Sequence, residues 1–224
     1  MKPNTIAAED CCVTMLTLQD VNYIFTVPPD FEELKLDPTN EDDCSTYQVF
    51  VTENVLAHCR RLAPLITVGI TDRRAGGGII PKHSWIIRSF ERADWRVVAY
   101  KIWHKSNKIN LYRLNFLHLM TFCPRANKPK QTQIENWRYD VFTDEHTKYN
   151  GYGYGIPLGI VQRHVRNFTS PGQTVYDPFM GSGTTALACA CENRFYFGSE
   201  IDPKVAAMAN ERLREYKWSA RSLS

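Results

Sequence analysis

The sequence predicts an α/β fold, a doubly wound and mostly parallel sheet with helices on both faces. Three observations carry this. Short apolar runs alternate with stretches of helical period along most of the chain. A glycine turn, Gly181-Ser182-Gly183, lies between a strand-like run and a helix-like one. The length of 224 residues, with 43% hydrophobic and 23% charged, suits a single domain with a full core and excludes disordered and low-complexity chains.

In order, Val21 to Phe25 reads as a strand ended by Pro28-Pro29, because a proline pair can neither continue a ladder nor enter a helix interior. Residues 47–62 place Val51, Val55, Leu56, Cys59 and Leu62 at helical spacing, with Pro64 as the stop. Leu65 to Ile70 is the next strand and runs into a Gly76-Gly77-Gly78 loop. His83 to Ala93 is a helix with Trp85, Ile86 and Phe90 inward. Val97 to Trp103 and Leu111 to Phe122 are strands around a polar turn at 105–110. From Pro124 to Tyr149 the chain turns polar and loses its period, a loop of about 25 residues, a length that calls for a function or for mobility. A helix carrying Leu158, Val161, Val165 and Phe168 leads to the turn Ser170-Pro171-Gly172. Last come a strand (Thr174 to Asp177), the glycine turn, a helix (Thr184 to Cys191), a strand (Phe195 to Ser199) and a helix (Lys204 to Glu215).

Seven cysteines form no disulfide-like framework, and no Cys-x-x-Cys or His-x-x-x-His pair marks a zinc site, so reduced thiols and no metal are expected. The longest nearly uncharged apolar stretch, Leu62 to Thr71, is about half a membrane span. With no charged segment leading into an early apolar core, a soluble cytoplasmic protein is expected. The net charge of +3 hides an asymmetry. Residues 1–50 hold 2 basic and 10 acidic groups, 51–130 hold 15 and 4, and 131–224 hold 10 and 10. The middle is either a surface for a polyanion or the partner of the acidic segment.

The turn Asp177-Pro178-Phe179-Met180-Gly181-Ser182-Gly183-Thr184-Thr185-Ala186 carries a Gly-x-Gly-x-x-Ala pattern, whose glycines permit positive φ and close approach of a ligand. Glu200, closing the next strand, is placed to accept hydrogen bonds from ribose hydroxyls. Thr184 stands where a Walker turn needs lysine, which excludes ATP binding through that motif. A dinucleotide domain continues with several strands after the acid, but 24 residues follow Glu200. The rest of the sheet must then precede the glycine turn, so the chain is circularly permuted relative to the usual nucleotide-binding order.

With Ile156-Pro157-Leu158, Asn167-Phe168, Ser170-Pro171-Gly172, the run Val175 to Thr185 and Gly198-Ser199-Glu200-Ile201-Asp202, the chain resembles the permuted, β-class amino-methyltransferases of DNA. The N-terminal half agrees in order through Asp10 before Cys11 to Leu18, Pro28-Pro29 after a strand, and Ile102-Trp103-His104-Lys105. The resemblance implies a Rossmann-like methyltransferase sheet. It also implies transfer of a methyl group from S-adenosylmethionine to adenine N6 or cytosine N4 of DNA, in a bacterial or viral host cell. Within one domain, residues 1–123 would be the catalytic half, 124–149 a short recognition loop and 150–224 the cofactor half. Asp177, Phe179, Gly181, Gly183, Thr184 and Thr185 would wall the methionine end, Glu200 would hold the ribose and Asp10 the adenine amine.

The family's catalytic motif is Asp, Asn or Ser, then Pro-Pro, then an aromatic residue. The first side chain and the first proline's carbonyl accept the amine hydrogens, and the aromatic ring stacks on the flipped base. Here Val27 and Asp30 replace the outer residues of Val27-Pro28-Pro29-Asp30. Two readings follow. Either Thr26 or Asp30 serves as acceptor and Phe31 as stacking face, or the chain is a catalytically impaired DNA-binding or regulatory subunit. RNA is disfavoured because the Pro-Pro motif precedes the glycine turn. For DNA contacts the resemblance points to the basic and aromatic residues of the loop: Arg125, Lys128, Lys130, Trp137, Arg138 and Tyr139. Arg73 and Arg74, just past a strand end, are backbone-contact candidates or partners of the acidic segment. A recognition region this short implies weak selectivity or help from a second subunit or a homodimer.

Overall fold

The computed structural model describes residues 3–105, 111–129, 137, 139–145, 147–149 and 152–221. Its elements in chain order are β1 (Thr5–Ala8), α1 (Cys11–Thr17), β2 (Tyr23–Thr26), α2 (Glu41–Val49), a π-helical segment (Phe50–Val55), α3 (Leu56–Leu62), β3 (Ile66–Ile70), β4 (Arg73–Ala75), β5 (Gly78–Ile80), α4 (Lys82–Arg92), β6 (Trp95–His104) and β7 (Phe116–Pro124). These are followed by β8 (Val141–Phe142), β9 (Thr147–Tyr149), β10 (Tyr152–Gly155), α5 (Leu158–Phe168), β11 (Thr174–Asp177), α6 (Thr184–Cys191), β12 (Phe195–Glu200) and α7 (Pro203–Arg221).

The main sheet has the order β1-β12-β11-β2-β3-β7-β6-β8. β7 runs against both its neighbours, and the other pairings are parallel. The sheet is therefore mostly parallel, as the alternation predicts. Neighbouring strand residues face opposite cores, because side chains of a strand alternate. Tyr23 and Phe25 join Val175, Val161 and Ala188 under α5, α6 and α7. Ile24 joins Ile66, Val68, Tyr176 and Phe197 under α1, α3 and α4. Both faces are covered, which is why β2 and β3 are buried along their whole length.

Several elements differ from the sequence reading. β1 is an unforeseen edge strand, held by parallel pairing with β12. The helix expected over 47–62 begins at Glu41, capped by the Asn40 side chain on the N–H groups of Asp42 and Asp43, and passes through the π segment. Its first turn is acidic, and such a turn carries no apolar period. The Gly76-Gly77-Gly78 loop is a β4–β5 hairpin whose turn residues Gly76 and Gly77 both have positive φ. Within the Pro124 to Tyr149 loop, β8 pairs with β6. Residues 106–110 of the polar turn lie outside the described residues.

Candidate active site

Ligands of open α/β sheets gather at the carboxyl ends of the strands, and here four adjacent strands end together. β1, β12, β11 and β2 lead into Asp10, Glu200, Asp177 and the Val27-Pro28-Pro29 segment, with Ala8 beside Glu200 and Asp177 beside Gly198. Thus residues from both ends of the chain share one edge.

The glycine turn is built by backbone geometry. Gly181 and Gly183 have φ of 52° and 81°, a region that costs other residues about 1–2 kcal/mol. A Cβ on Gly183 would stand 3.1 Å from Ala209 Cβ, whereas one on Gly181 would meet only a carbonyl oxygen at 4.0 Å. Gly183 therefore serves packing against α7, and Gly181 leaves a cradle open. Arg212 on α7 steadies the turn by donating to the Ser182 carbonyl at 3.1 Å and to the Thr184 hydroxyl at 3.2 Å. No pattern in the sequence marked Arg212.

Two carboxylates flank this turn. Glu200 accepts the Gly181 and Asp202 N–H groups, each at 3.0 Å, which orients it across the mouth. Asp177 is 4% exposed and accepts the Phe179 N–H at 3.0 Å and the Thr185 hydroxyl at 2.6 Å. Burial pushes its carboxyl up to about 6, against those hydrogen bonds and helped by the Glu200 charge. Phe179 is half-buried, 6.2 Å from the Phe50 ring of the π segment. Asp10 caps α1 through the Cys12 N–H at 2.7 Å and is exposed beside Glu200.

The Pro-Pro segment borders this cradle, but its flanking side chains are engaged elsewhere. Thr26 is fully buried and its hydroxyl faces Asp177 without a full hydrogen-bond geometry. Phe31 is fully buried, stacked 4.3 Å from the Tyr47 ring, so the face expected to meet a base is covered. Asp30 lies in an ion cluster with Lys82 at 2.6 Å, Arg113 at 3.0 Å and Arg73 at 3.5 Å. Burial pushes the Asp30 carboxyl up, but Lys82, the Phe31 N–H and Arg113 together outweigh it and hold the group below the usual range. The Pro29 carbonyl accepts the Tyr47 hydroxyl at 2.9 Å, while no donor among the described residues reaches the Pro28 carbonyl.

The basic candidates separate. Arg73 is 5% exposed, bound to Asp30 and Glu32 and lying over the Tyr112 ring, so it is corrected from DNA contact to partner of the acidic segment. Arg74, its neighbour on the hairpin, is exposed at the same edge as the cradle. Lys128 is exposed but follows the Pro124 end of β7, paired with the Trp95 start of β6, which is the opposite edge of the sheet. Trp137 is a core residue, edge-on to His164 and Phe168, and offers no stacking platform. Tyr139 is exposed, whereas Lys130 and Arg138 lie outside the described residues.

The chain is similar to known proteins. The chain is 25% identical to Type II methyltransferase M.HinfI of Haemophilus influenzae across 96% of its own length and 69% of that protein. It is 29% identical to Type II methyltransferase M.MjaI of Methanocaldococcus jannaschii over 66% and 60%. To the orphan methyltransferase M.BamHII of Bacillus amyloliquefaciens it is 45% identical over 61 residues, covering 23% of that protein. Among solved structures, a protein of Thermus thermophilus, described as a candidate DNA modification methylase and complexed with S-adenosyl-L-methionine, superposes with a TM-score of 0.75 at 21% identity, covering 93% of this chain and 92% of that one. The cytosine-N4-specific PvuII DNA methyltransferase superposes with a TM-score of 0.76 at 16% identity, covering 93% and 88%. Both show the fold. A family model described as DNA methylase matches residues 21–211, and the chain belongs to that family.

Proposed function

We propose that the chain transfers a methyl group from S-adenosylmethionine to an exocyclic amine of DNA, adenine N6 or cytosine N4. The observation that carries this is the cradle of Gly181 between the carboxylates of Asp177 and Glu200, directly beside the Pro28-Pro29 segment. The residues fit the cofactor. Glu200 keeps acceptor capacity for ribose hydroxyls beyond its two backbone bonds. Burial disfavours the Asp177 charge, and a positively charged ligand offsets that cost. Phe179, Thr184 and Thr185 would wall the methionine end, and Asp10, exposed after β1, would accept the adenine amine. When bound, the cofactor supplies the electrophilic methyl group. The position of the glycine turn late in the chain, on a central strand, supports the reading of a circular permutation.

On this reading the Pro28 carbonyl accepts an amine hydrogen and thereby aims the nitrogen. A second reading, a catalytically impaired relative that binds DNA, is favoured by a specific observation: Asp30 is held by Lys82, Arg113 and Arg73, Phe31 is stacked on Tyr47, and the Thr26 hydroxyl is fully buried facing Asp177. Calorimetry with S-adenosylmethionine or its demethylated product should show saturable binding, and tritium from labelled cofactor should enter duplex DNA. Val27→Asp, at a half-buried position, restores the family's acceptor and should raise the rate by about 10²- to 10³-fold, the worth of one such hydrogen bond. No binding overturns the proposal. Binding with label only in the Val27→Asp variant establishes the second reading.

A further inference from the structure

Beside the Pro-Pro segment, three elements bring together Asp72 after β3, His83 in the first turn of α4 and His118 on β7. One ligand atom from each lies within 4.8 Å of the other two. Asp72 is 3% exposed, and its Oδ1 is fixed by the His83 backbone N–H at 3.1 Å. Its Oδ2 faces His83 Nδ1 at 2.6 Å and His118 Nε2 at 3.4 Å. His118 is 6% exposed, and its Nε2 has no hydrogen-bond partner among the described residues. Its Nδ1 is engaged by the Tyr100 hydroxyl at 2.6 Å.

A buried ring nitrogen that stops 3.4 Å from a carboxylate oxygen, outside full hydrogen-bond geometry, and is oriented from behind by a hydroxyl, is the arrangement of a metal ligand with its outer support. We infer that Asp72, His83 and His118 bind a divalent transition-metal cation of zinc's class, with a fourth position open to solvent on the part-exposed His83 side. Two imidazoles and a carboxylate are the ligand types such ions take. Ligands about 2.0–2.1 Å from a tetrahedral ion stand about 3.3 Å apart, close to the His118 to Asp72 spacing. The His83 to Asp72 gap must open by about 0.7 Å, and the part-exposed His83 ring, stacked on His118 with centroids 4.3 Å apart and planes at 22°, must swing out of that stack so that both nitrogen lone pairs meet one ion. The nearby cations have other partners: Arg73 and Lys82 are turned to Asp30 and Glu32, and Lys105 donates to the Thr71 hydroxyl. Arg73 and Lys82 directly neighbour Asp72 and His83 in sequence, so an ion bound there ties the groups that hold Asp30 to β7 and orders the Pro-Pro segment.

The ligands are 11 and 35 residues apart, which is why no sequence spacing revealed them. The test uses the full chain, reduced and metal-free, titrated with zinc chloride against a chromogenic chelator. One equivalent should bind, His83→Ala should remove that binding, and Tyr100→Phe should weaken it about 10- to 100-fold. Cobalt(II) should give visible d–d bands without the near-ultraviolet band of thiolate ligation. If His118→Gln fails to fold, as judged by circular dichroism, the part-exposed His83→Ala variant carries the test. Absence of stoichiometric binding, binding unchanged in His83→Ala, or a thiolate band lost in Cys12→Ser would each overturn the inference. None of these readouts depends on methyl transfer.

Discussion

Asp177 and Asp30 are both buried carboxyl groups near the same edge, and their surroundings drive them in opposite directions. Asp30 has three cations around it, so it stays charged. Replacing it with Ala would strand buried positive charge at a cost of about 3–5 kcal/mol, so lost activity there would report on folding rather than on proton acceptance. Asp177 has only neutral donors, and burial dominates. Its folded value of about 6 exceeds the ordinary 3.8, so between those values the folded chain holds a proton that the unfolded chain has released. The stability from this group is full below 3.8 and is lost as pH rises through about 6. Asp177→Asn should therefore gain on the natural chain by about 3 kcal/mol between acid and neutral pH, at about 1.4 kcal/mol per unit. Urea unfolding of both proteins across that range checks it, and a constant difference refutes the assignment.

At the level of elements, the turn between β11 and α6 separates packing from binding. Gly183 sits at the helix start against α7, and Gly181 faces open space. Gly183→Ala combines the left-handed penalty with a crowded Cβ, for about 2–4 kcal/mol of stability. Gly181→Ala should cost only about 1–2 kcal/mol yet lose most of the cofactor affinity, because its methyl group fills the cradle. Thermal unfolding and calorimetry on the two variants should show this contrast, and equal losses of affinity would refute it. The turn, its acid and the strands and helices around it were legible because they are local: a glycine pair, a period and a carboxylate at a strand end. The helical run from Glu41 to Leu62 was legible only from residue 47 on, mostly in the π segment and α3, since the acidic first turn of α2 carries no period. β1 is too short to carry a pattern and exists because β12 offers it an edge.

Over the whole molecule, the acidic N-terminal segment and the basic middle meet at Asp30 and Glu32 with Arg73, Lys82 and Arg113. Part of the charge asymmetry is thus neutralised internally, and somewhat less basic surface is left for a polyanion than the composition implies. Duplex DNA binding should be weak and strongly salt-dependent. Arg74→Ala should lower the slope of log affinity against log salt by about 0.9, one phosphate contact. Lys128→Ala, on the opposite edge, should leave it unchanged. Filter binding across a salt series decides between them, and a slope altered by Lys128 instead would move the DNA to the other edge.

Reading along the chain was enough for the fold class, the order of the central elements, the glycine cradle and its two carboxylates, because these depend on neighbours within a turn or on a period along one element. It also exposed the altered Val27-Pro28-Pro29-Asp30 motif. What the remaining charges do is settled by packing in three dimensions. Whether Arg73 faces solvent or Asp30, whether Trp137 is platform or core, and whether Asp72, His83 and His118 converge depend on how segments far apart in the chain meet. Desolvation and ion pairing act through space, and the linear order of residues does not encode those distances.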